Sequence, residues 1–200
     1  MMLQERFRHF FQKARRNPQV DTTPGVEEST TPGETQPPLI EIEGVVTEQN
    51  VPWLAATIVV DGKQTTSWFL FDTGASVTVI SPQVARKLGI NFDPSNTILI
   101  TGLFKDKFQM PCNIVTAELY FKGKSNSPKS PIFAKTPVEL YVPRPGSISI
   151  TDSYGLLGRD VLNKFDYEID FAQKRLRLDV RDEPNDAVLV VASIPTFKQD

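Results

Sequence analysis

The chain has 200 residues, a hydrophobic content of 40% and a net charge of −2, which predict about one domain with a sizeable core and give no support for nucleic-acid binding. Its single cysteine, Cys112, excludes an internal disulfide and is typical of a reducing compartment, so we expect a cytoplasmic protein. Because His9 is the only histidine, we expect neither a Ser-His-Asp or Cys-His catalytic set nor a zinc site or other cofactor.

Residues 1–16 form a basic segment that holds five Arg or Lys against one Glu. Its apolar residues recur at helical spacing, which predicts a short amphipathic helix; they are Leu3, Phe7, Phe10, Phe11 and Ala14. Such a helix would contact a membrane surface, act as an organelle-targeting segment or pack on its own domain, and these alternatives stay open. No apolar run reaches the roughly 20 residues of a membrane span, and no secretory signal is recognised.

Residues 17–38 are rich in Pro, Thr and Glu and contain almost no large apolar side chains. Such a segment cannot bury enough surface to offset the loss of chain entropy, so we predict a disordered linker. Over residues 39–182 the pattern changes to short apolar runs separated by turn residues, which predicts the folded domain.

The folded domain begins with a predicted hairpin, because Asp61-Gly62 is a turn signal between two apolar runs, and its second strand ends at Asp72. Ser81 would cap a brief helix that ends at Gly89. Strands are predicted at residues 51–60, 65–71, 77–80, 98–100, 108–110, 114–121, 138–142, 167–171 and 176–178, and residues 155–165 indicate a strand, a turn and a short helix. Many short strands with one or two short helices predict a mostly β, barrel-like domain.

The stretch WFLFDTGASVTVI, residues 68–80, places Asp72 between two apolar runs. A charge in such surroundings is costly unless it is paired or hydrogen-bonded, so Asp72 either shapes a turn or serves chemistry. Gly74 permits positive φ and close backbone approach, and Thr73 offers a supporting hydroxyl. Two such carboxylates a few ångströms apart share a proton. The pair can then act as general base and general acid on a water that attacks a peptide carbonyl.

The run DTGAS, residues 72–76, resembles the active-site motif of retropepsin-like aspartic proteases. A second motif of that family, an apolar pair followed by Gly and Arg before a short helix, matches YGLLGRDVL at residues 154–162. The later run YEIDFAQKRLRL, residues 167–178, resembles the hairpin that follows this motif. The resemblance covers roughly residues 50–180 and implies a closed or partly open β-barrel that acts as a homodimer on a polypeptide substrate.

The resemblance also implies residue roles, with Asp72 as the catalytic acid and base. Supporting roles are implied for Thr73, Gly74, Gly158 and Arg159. Substrate contacts are implied for Ala75 and Ser76 and, in a flexible flap hairpin at residues 98–110, for Gly102 and Leu103. The run of residues 98–110 is equally consistent with an ordinary surface hairpin that has no role as a flap. Some viral members carry an acid at the position of Ser76 that pairs with the Arg of the second motif, so Arg159 needs another partner here.

Because the chain contains only one Asp-Thr-Gly motif, we predict that the active site is formed by two chains. A pepsin-like single chain needs two motifs, so the second carboxylate would come from another copy across a twofold axis. The apolar tail at residues 183–200 contains a strand candidate at residues 187–192. This strand would pair across the dimer, extend the sheet of its own subunit or belong to a cleavable extension, and the sequence leaves these alternatives open.

The predicted function is that of an aspartic endopeptidase, in which a water is activated between the Asp72 carboxylates of a homodimer. The alternative is a weakly active or inactive dimer of the same fold that binds peptides or serves assembly. An acidic or mildly acidic pH optimum is expected from the shared proton. We expect an apolar cleft lined by Trp68, Leu70, Ile100, Phe104 and Leu157.

Overall fold

The structure is a computed structural model that describes residues 40–101, 109–124, 131–146, 154–180 and 188–196. The basic segment at residues 1–16 and the linker at residues 17–38 lie outside the described residues, so both stay predictions. Within the described ranges, the helices are too short and too polar to cross a membrane.

Eleven strands and two short helices make up the described part of the chain. The strands are β1 (Glu41–Val46), β2 (Pro52–Val60), β3 (Lys63–Phe71), β4 (Thr78–Val79), β5 (Ile98–Thr101), β6 (Gln109–Lys122), β7 (Phe133–Pro143), β8 (Gly155–Leu157), β9 (Phe165–Asp170), β10 (Arg175–Val180) and β11 (Leu189–Val191). The helices are α1 (Pro82–Lys87) and α2 (Arg159–Leu162). This content confirms the predicted mostly β fold with one or two short helices.

Six of the strands close into a barrel. Each strand pairs with the next in the order β2, β3, β8, β4, β7 and β6, and β6 pairs back with β2. The pairs β3–β8 and β4–β7 are parallel, whereas the other four are antiparallel. Closure removes free edges from the ring, and β1, β10 and β9 extend the sheet outward from β2.

The barrel core is filled by side chains that alternate along the strands. In β2, Leu54 and Ile58 are fully buried, and Phe69 in β3 is also fully buried. Because neighbouring side chains of a strand point to opposite faces, Trp68 and Leu70 lie on the outer face of β3. The outer face of β3 therefore leads directly to the residue at its end, Asp72.

The turn between β2 and β3 is the predicted Asp61-Gly62 pair. Both residues have positive φ, 47° for Asp61 and 78° for Gly62, which is the backbone geometry that tight two-residue hairpins favour. This turn sets a register in which Trp53 lies opposite Leu70, two residues before Asp72. A local turn signal thus determines which side chains flank the end of β3.

Helix α1 also follows its sequence signals. The Ser81 hydroxyl oxygen accepts a hydrogen bond from the Val84 N–H at 3.2 Å, which satisfies one of the free donors at the helix start. Pro82 occupies the first turn. Gly89, just after the helix, has a φ of 72°, a conformation that glycine adopts at little cost.

The strands predicted in the regions of β6 and β7 were too short. The separate strands predicted at residues 108–110 and 114–121 form one continuous strand, β6, and β7 begins at Phe133 rather than at Val138. Pro111 and Asn113 are poor strand formers, which is why the pattern looked interrupted. The paired neighbours β5 and β7 carry β6 through both residues, so sheet pairing prevails over local preference.

The apolar tail contributes the short strand β11. It pairs antiparallel with β7 of the same chain, with Val190 opposite Ala134. Leu189 and Val190 remain exposed. Of the three alternatives for this strand, pairing within its own subunit is therefore the arrangement seen in the single chain. The predicted boundary at residues 182–183 lies outside the described residues.

Candidate active site

The Asp72 turn lies at the end of β3, where β3 runs beside β8. The Asp72 N–H donates to the Leu157 carbonyl at 3.1 Å, and the Ala75 N–H donates to the Asp72 carbonyl at 3.2 Å. The Asp72 Oδ1 accepts a hydrogen bond from the Gly74 N–H at 2.8 Å. Backbone hydrogen bonds on both sides of the turn, together with the bond from the Gly74 N–H, therefore fix the direction of the carboxylate.

This turn faces outward in the single chain. Asp72 is half-buried, whereas Thr73 and Gly74 are exposed. Gly74 does not adopt the positive φ that glycine permits, because the described glycines with positive φ are Gly62, Gly89 and Gly146. Gly74 instead contributes its N–H to Asp72 and leaves open surface beside the carboxylate.

The second sequence motif lies directly behind the turn. The Arg159 N–H donates to the Ala75 carbonyl at 3.0 Å, so the start of α2 is bonded to the DTGAS run. Gly158 packs against the backbone of Val77, and a Cβ at this position would overlap the Val77 carbonyl group and nitrogen. Residues eighty positions apart thus form one rigid unit, in which glycine is required at position 158.

Asp160 anchors this unit through its carboxylate. Its Oδ2 accepts from the Thr78 N–H at 2.9 Å, and its Oδ1 accepts from the Thr78 hydroxyl at 2.7 Å and from the Val161 N–H at 3.0 Å. The Thr78 hydroxyl oxygen also accepts from the Gly158 N–H at 3.1 Å. Thr78 is fully buried, and its hydroxyl therefore connects the two motifs.

Sequence reasoning missed Thr78. A β-branched residue within the run VTVI looks like an ordinary strand residue, and its role depends on an acid that lies far away in the sequence. The available signal was a hydroxyl residue at a buried position of an otherwise apolar strand, since a buried hydroxyl needs a partner.

Replacing Thr78 with valine is expected to lower the free energy of unfolding by about 1–2 kcal/mol. Valine keeps the shape of threonine but leaves the Gly158 N–H without this acceptor and removes one donor from Asp160. Denaturant unfolding measures the loss. Thr78→Ser is the matched control, because it retains the hydroxyl; equal losses in both variants would contradict the hydrogen-bond account.

Arg159 finds a partner within the motif itself. Its Nη2 donates a hydrogen bond to the Ser76 hydroxyl oxygen at 3.1 Å, and both residues are exposed. Ser76 thus holds the guanidinium by a neutral hydroxyl rather than by a carboxylate. The backbone of Arg159 and its side chain both contact the run of residues 72–76.

An apolar row crosses the outer face of the sheet next to Asp72. Leu156, Leu70, Trp53 and Val45 occupy paired positions on β8, β3, β2 and β1. The Tyr154 ring packs edge-on against Trp53, with 4.5 Å between ring centroids. This row offers a contact surface for apolar groups beside the carboxylate.

The expected cleft residues do not share one environment. Trp68, which is 50% exposed, and the half-buried Leu70 lie on the outer face of β3, whereas Leu157 is 0% exposed and belongs to the core. The assignment of Leu157 to the cleft was therefore wrong, because neighbouring residues of β8 face opposite sides and Leu156 has the outward position. Ile100 is half-buried on β5. Phe104, like Gly102 and Leu103, lies outside the described residues.

The single cysteine does not provide a nucleophile. Cys112 is fully buried in β6, and burial raises the pKa of its thiol to about 12. A thiol with such a high pKa stays protonated at neutral pH and reacts poorly. Among the described residues, no cluster of His, Cys, Asp and Glu could hold a metal ion.

Comparisons with known proteins give one family match and a likeness to a solved structure. Residues 56–161, more than half of the chain, match the model of a family described as aspartyl protease. The fold is similar to that in the crystal structure of a retropepsin-like aspartic protease from Rickettsia conorii, with 21% sequence identity, a TM-score of 0.46 and coverage of 76% of this chain and 96% of that chain. No curated protein sequence gives a significant match.

Proposed function

Because this chain belongs to the aspartyl protease family, we propose that it is an aspartic endopeptidase that works as a homodimer. Asp72 is the one catalytic residue that each chain contributes. The substrate is a polypeptide, and its peptide bond is hydrolysed without a covalent intermediate. The observation that carries the proposal is the outward-facing Asp72 turn, which is bonded rigidly from behind and open in front.

The chemistry needs two carboxylates. A single ionised carboxylate can accept a proton from water but cannot at the same time donate one to the leaving nitrogen. Two Asp72 carboxyls close together share one proton, because two like charges at short distance are unfavourable. The ionised member then takes a proton from water while the protonated member polarises the carbonyl, and the roles reverse when the amine leaves.

The geometry of the single chain suits such a pair. The Gly74 N–H already bonds to Oδ1 of Asp72 at 2.8 Å, so the carboxylate is oriented before a partner arrives. Thr73 is exposed beside it, and its hydroxyl is available to bond across a twofold axis. Because the same surface meets itself in such a dimer, one exposed turn per chain is enough to build the site.

The apolar row supports a preference for bulky apolar side chains next to the scissile bond. Leu70 lies two residues before Asp72 on the same face of β3, and Trp53 lies opposite Leu70. Burial of a bulky apolar side chain of the substrate against this row contributes about 1.5–3 kcal/mol to binding. Proximity to Asp72 directs this contribution to residues that flank the bond that is cut.

The proposal predicts that specific activity falls on dilution. If the site requires two chains, the rate per chain drops once the concentration passes below the dimer dissociation constant. Cleavage of an apolar reporter peptide, measured over a dilution series with sedimentation at the same concentrations, tests this. Activity that stays constant per chain while sedimentation shows monomers would contradict the dimeric site.

A further inference from the structure

Arg159 is a charged group beside the Asp72 turn without an opposite charge. Its backbone N–H donates to the Ala75 carbonyl at 3.0 Å, and its Nη2 donates to the Ser76 hydroxyl oxygen at 3.1 Å. The ion pairs formed by the described residues involve Lys124, Lys135 and Arg177 as cations, and Arg159 takes part in none of them. The guanidinium is therefore held in place but not neutralised.

The neighbouring acid does not provide the missing charge. Both carboxylate oxygens of Asp160 accept hydrogen bonds, from the Thr78 backbone and hydroxyl and from the Val161 N–H. Asp160 thus faces the buried side of the unit, whereas Arg159 is exposed at its outer side. Adjacent residues of α2 thus have different partners: Asp160 bonds to Thr78, whereas Arg159 bonds to the run of residues 72–76.

The Ser76 hydroxyl leaves most of the binding capacity of Arg159 unused. A guanidinium has five N–H donors, and two of them in parallel match the two oxygens of a carboxylate. A hydroxyl takes one of these donors and brings no charge. An exposed arginine in this state is well suited to bind a carboxylate that comes from outside the chain.

We propose that Arg159 is a specificity-determining residue that selects substrates with an acidic side chain close to the scissile bond, an inference that rests on the proposed function. Ser76 lies four residues after Asp72, which is at most about 14 Å along the chain. An extended peptide advances about 3.3 Å per residue. The acidic residue would therefore lie within about four residues of the bond that is cut, beyond the apolar side chains that flank it.

The dimer gives this preference a second consequence. Each chain brings its own Arg159, so a twofold site carries one guanidinium on each side of the scissile bond. A substrate with an acid on one side would then be favoured over a neutral peptide. A substrate with an acid at the corresponding distance on both sides would be favoured most.

Matched pairs of peptides test this proposal. Each pair shares one apolar cleavage sequence and differs only by Glu or Gln at one of the four positions on either side. At one or more of these positions the wild-type protein is expected to cleave the Glu peptide about three- to tenfold faster, measured as kcat/KM. The ratio should shrink when salt is raised from about 0.05 M to about 0.5 M, because exposed charges are screened.

Three variants locate the effect at Arg159. Ser76→Asp adds an internal carboxylate, and Arg159→Gln removes the charge; each is expected to bring the Glu-to-Gln ratio close to one. Ser76→Ala is the control, since it removes the hydroxyl and keeps the charge, and its ratio should stay at or above that of the wild type. The ratio compares two peptides on the same enzyme, so a general loss of activity does not alter it. Should Arg159→Gln fail to fold, the Glu-to-Gln ratio of Ser76→Asp alone decides the test.

The outcomes separate this inference from the function on which it rests. Cleavage by the wild type with equal rates for Glu and Gln at all eight positions would overturn the role of Arg159 and leave the protease intact. A preference for Glu over Gln peptides that survives in both Ser76→Asp and Arg159→Gln would also overturn this role. If Arg159→Gln then dimerised more weakly than the wild type, the guanidinium would be assigned to the subunit contact. A wild-type dimer that cleaves none of the peptides would contradict the proposed function and this inference with it.

Discussion

Replacing Asp72 with asparagine is expected to lower peptide hydrolysis by at least about a thousandfold, because the amide can neither accept nor share the proton that the reaction moves. The asparagine side chain keeps an oxygen in the position of Oδ1, where it can accept the hydrogen bond from the Gly74 N–H. Folding and association should therefore be preserved. The measurement is kcat/KM on an apolar peptide, with thermal unfolding and sedimentation on the same samples.

Asp61→Asn is the matched control for this variant. Asp61 is an exposed turn residue with a φ of 47°, and asparagine is equally suited to that conformation. The control makes the same chemical change at the opposite end of β3 from Asp72 and should keep wild-type kcat/KM. Turnover by Asp72→Asn within a few-fold of the wild type would exclude Asp72 as the catalytic residue.

Replacing Gly158 with alanine is expected to destabilise the fold by about 3 kcal/mol, at the upper end of the usual cost of overpacking, and to abolish activity. The added Cβ would overlap the carbonyl and nitrogen of Val77. Backbone atoms cannot move aside as a flexible side chain does, so the unit that joins Ala75, Thr78 and Arg159 must shift. Denaturant unfolding and peptide cleavage measure the two effects.

Gly146→Ala separates this overlap from a general cost of replacing glycine. Gly146 is exposed, and a Cβ there would meet no atom within 4 Å, although its φ of 80° disfavours alanine. The expected loss of stability is about 1 kcal/mol, with activity retained. If Gly158→Ala were no more harmful than this control, the close packing behind the Asp72 turn would not matter for the site.

Local signals in the sequence were sufficient where structure depends on neighbouring residues. The Asp61-Gly62 turn and the cap at Ser81 depend on backbone preferences within a few residues, and both occur as predicted. Strand lengths were less predictable, because β6 continues through Pro111 and Asn113 only when β5 and β7 pair with it.

The candidate site also combines features that neighbouring residues reveal with features that depend on distant parts of the chain. Asp72 stood out in the sequence because an acid between two apolar runs is unusual. Of the residues that hold its turn, Arg159 was expected from the family resemblance, whereas Leu157 and Thr78 were not recognised, since their hydrogen bonds join distant parts of the chain. The bond between Arg159 and Ser76 likewise depends on the placement of α2 behind the turn.

The inward or outward position of single residues was also beyond the sequence. Leu156 and Leu157 are adjacent and chemically identical, yet one faces outward and the other belongs to the core. The parallel pairing of β8 with β3 decides this, with Leu156 opposite Leu70. A prediction from composition alone cannot distinguish the two.

Mixing active and inactive chains tests most directly whether two Asp72 carboxyls form one site. Wild-type protein and Asp72→Asn are combined in equal amounts, allowed to exchange subunits, and assayed at a constant total concentration. If each site needs an Asp72 from both chains, only dimers of two wild-type chains are active, and the rate falls to about a quarter of that of pure wild type. A rate of about half, unchanged by exchange, would show that each chain works alone and would contradict the shared site.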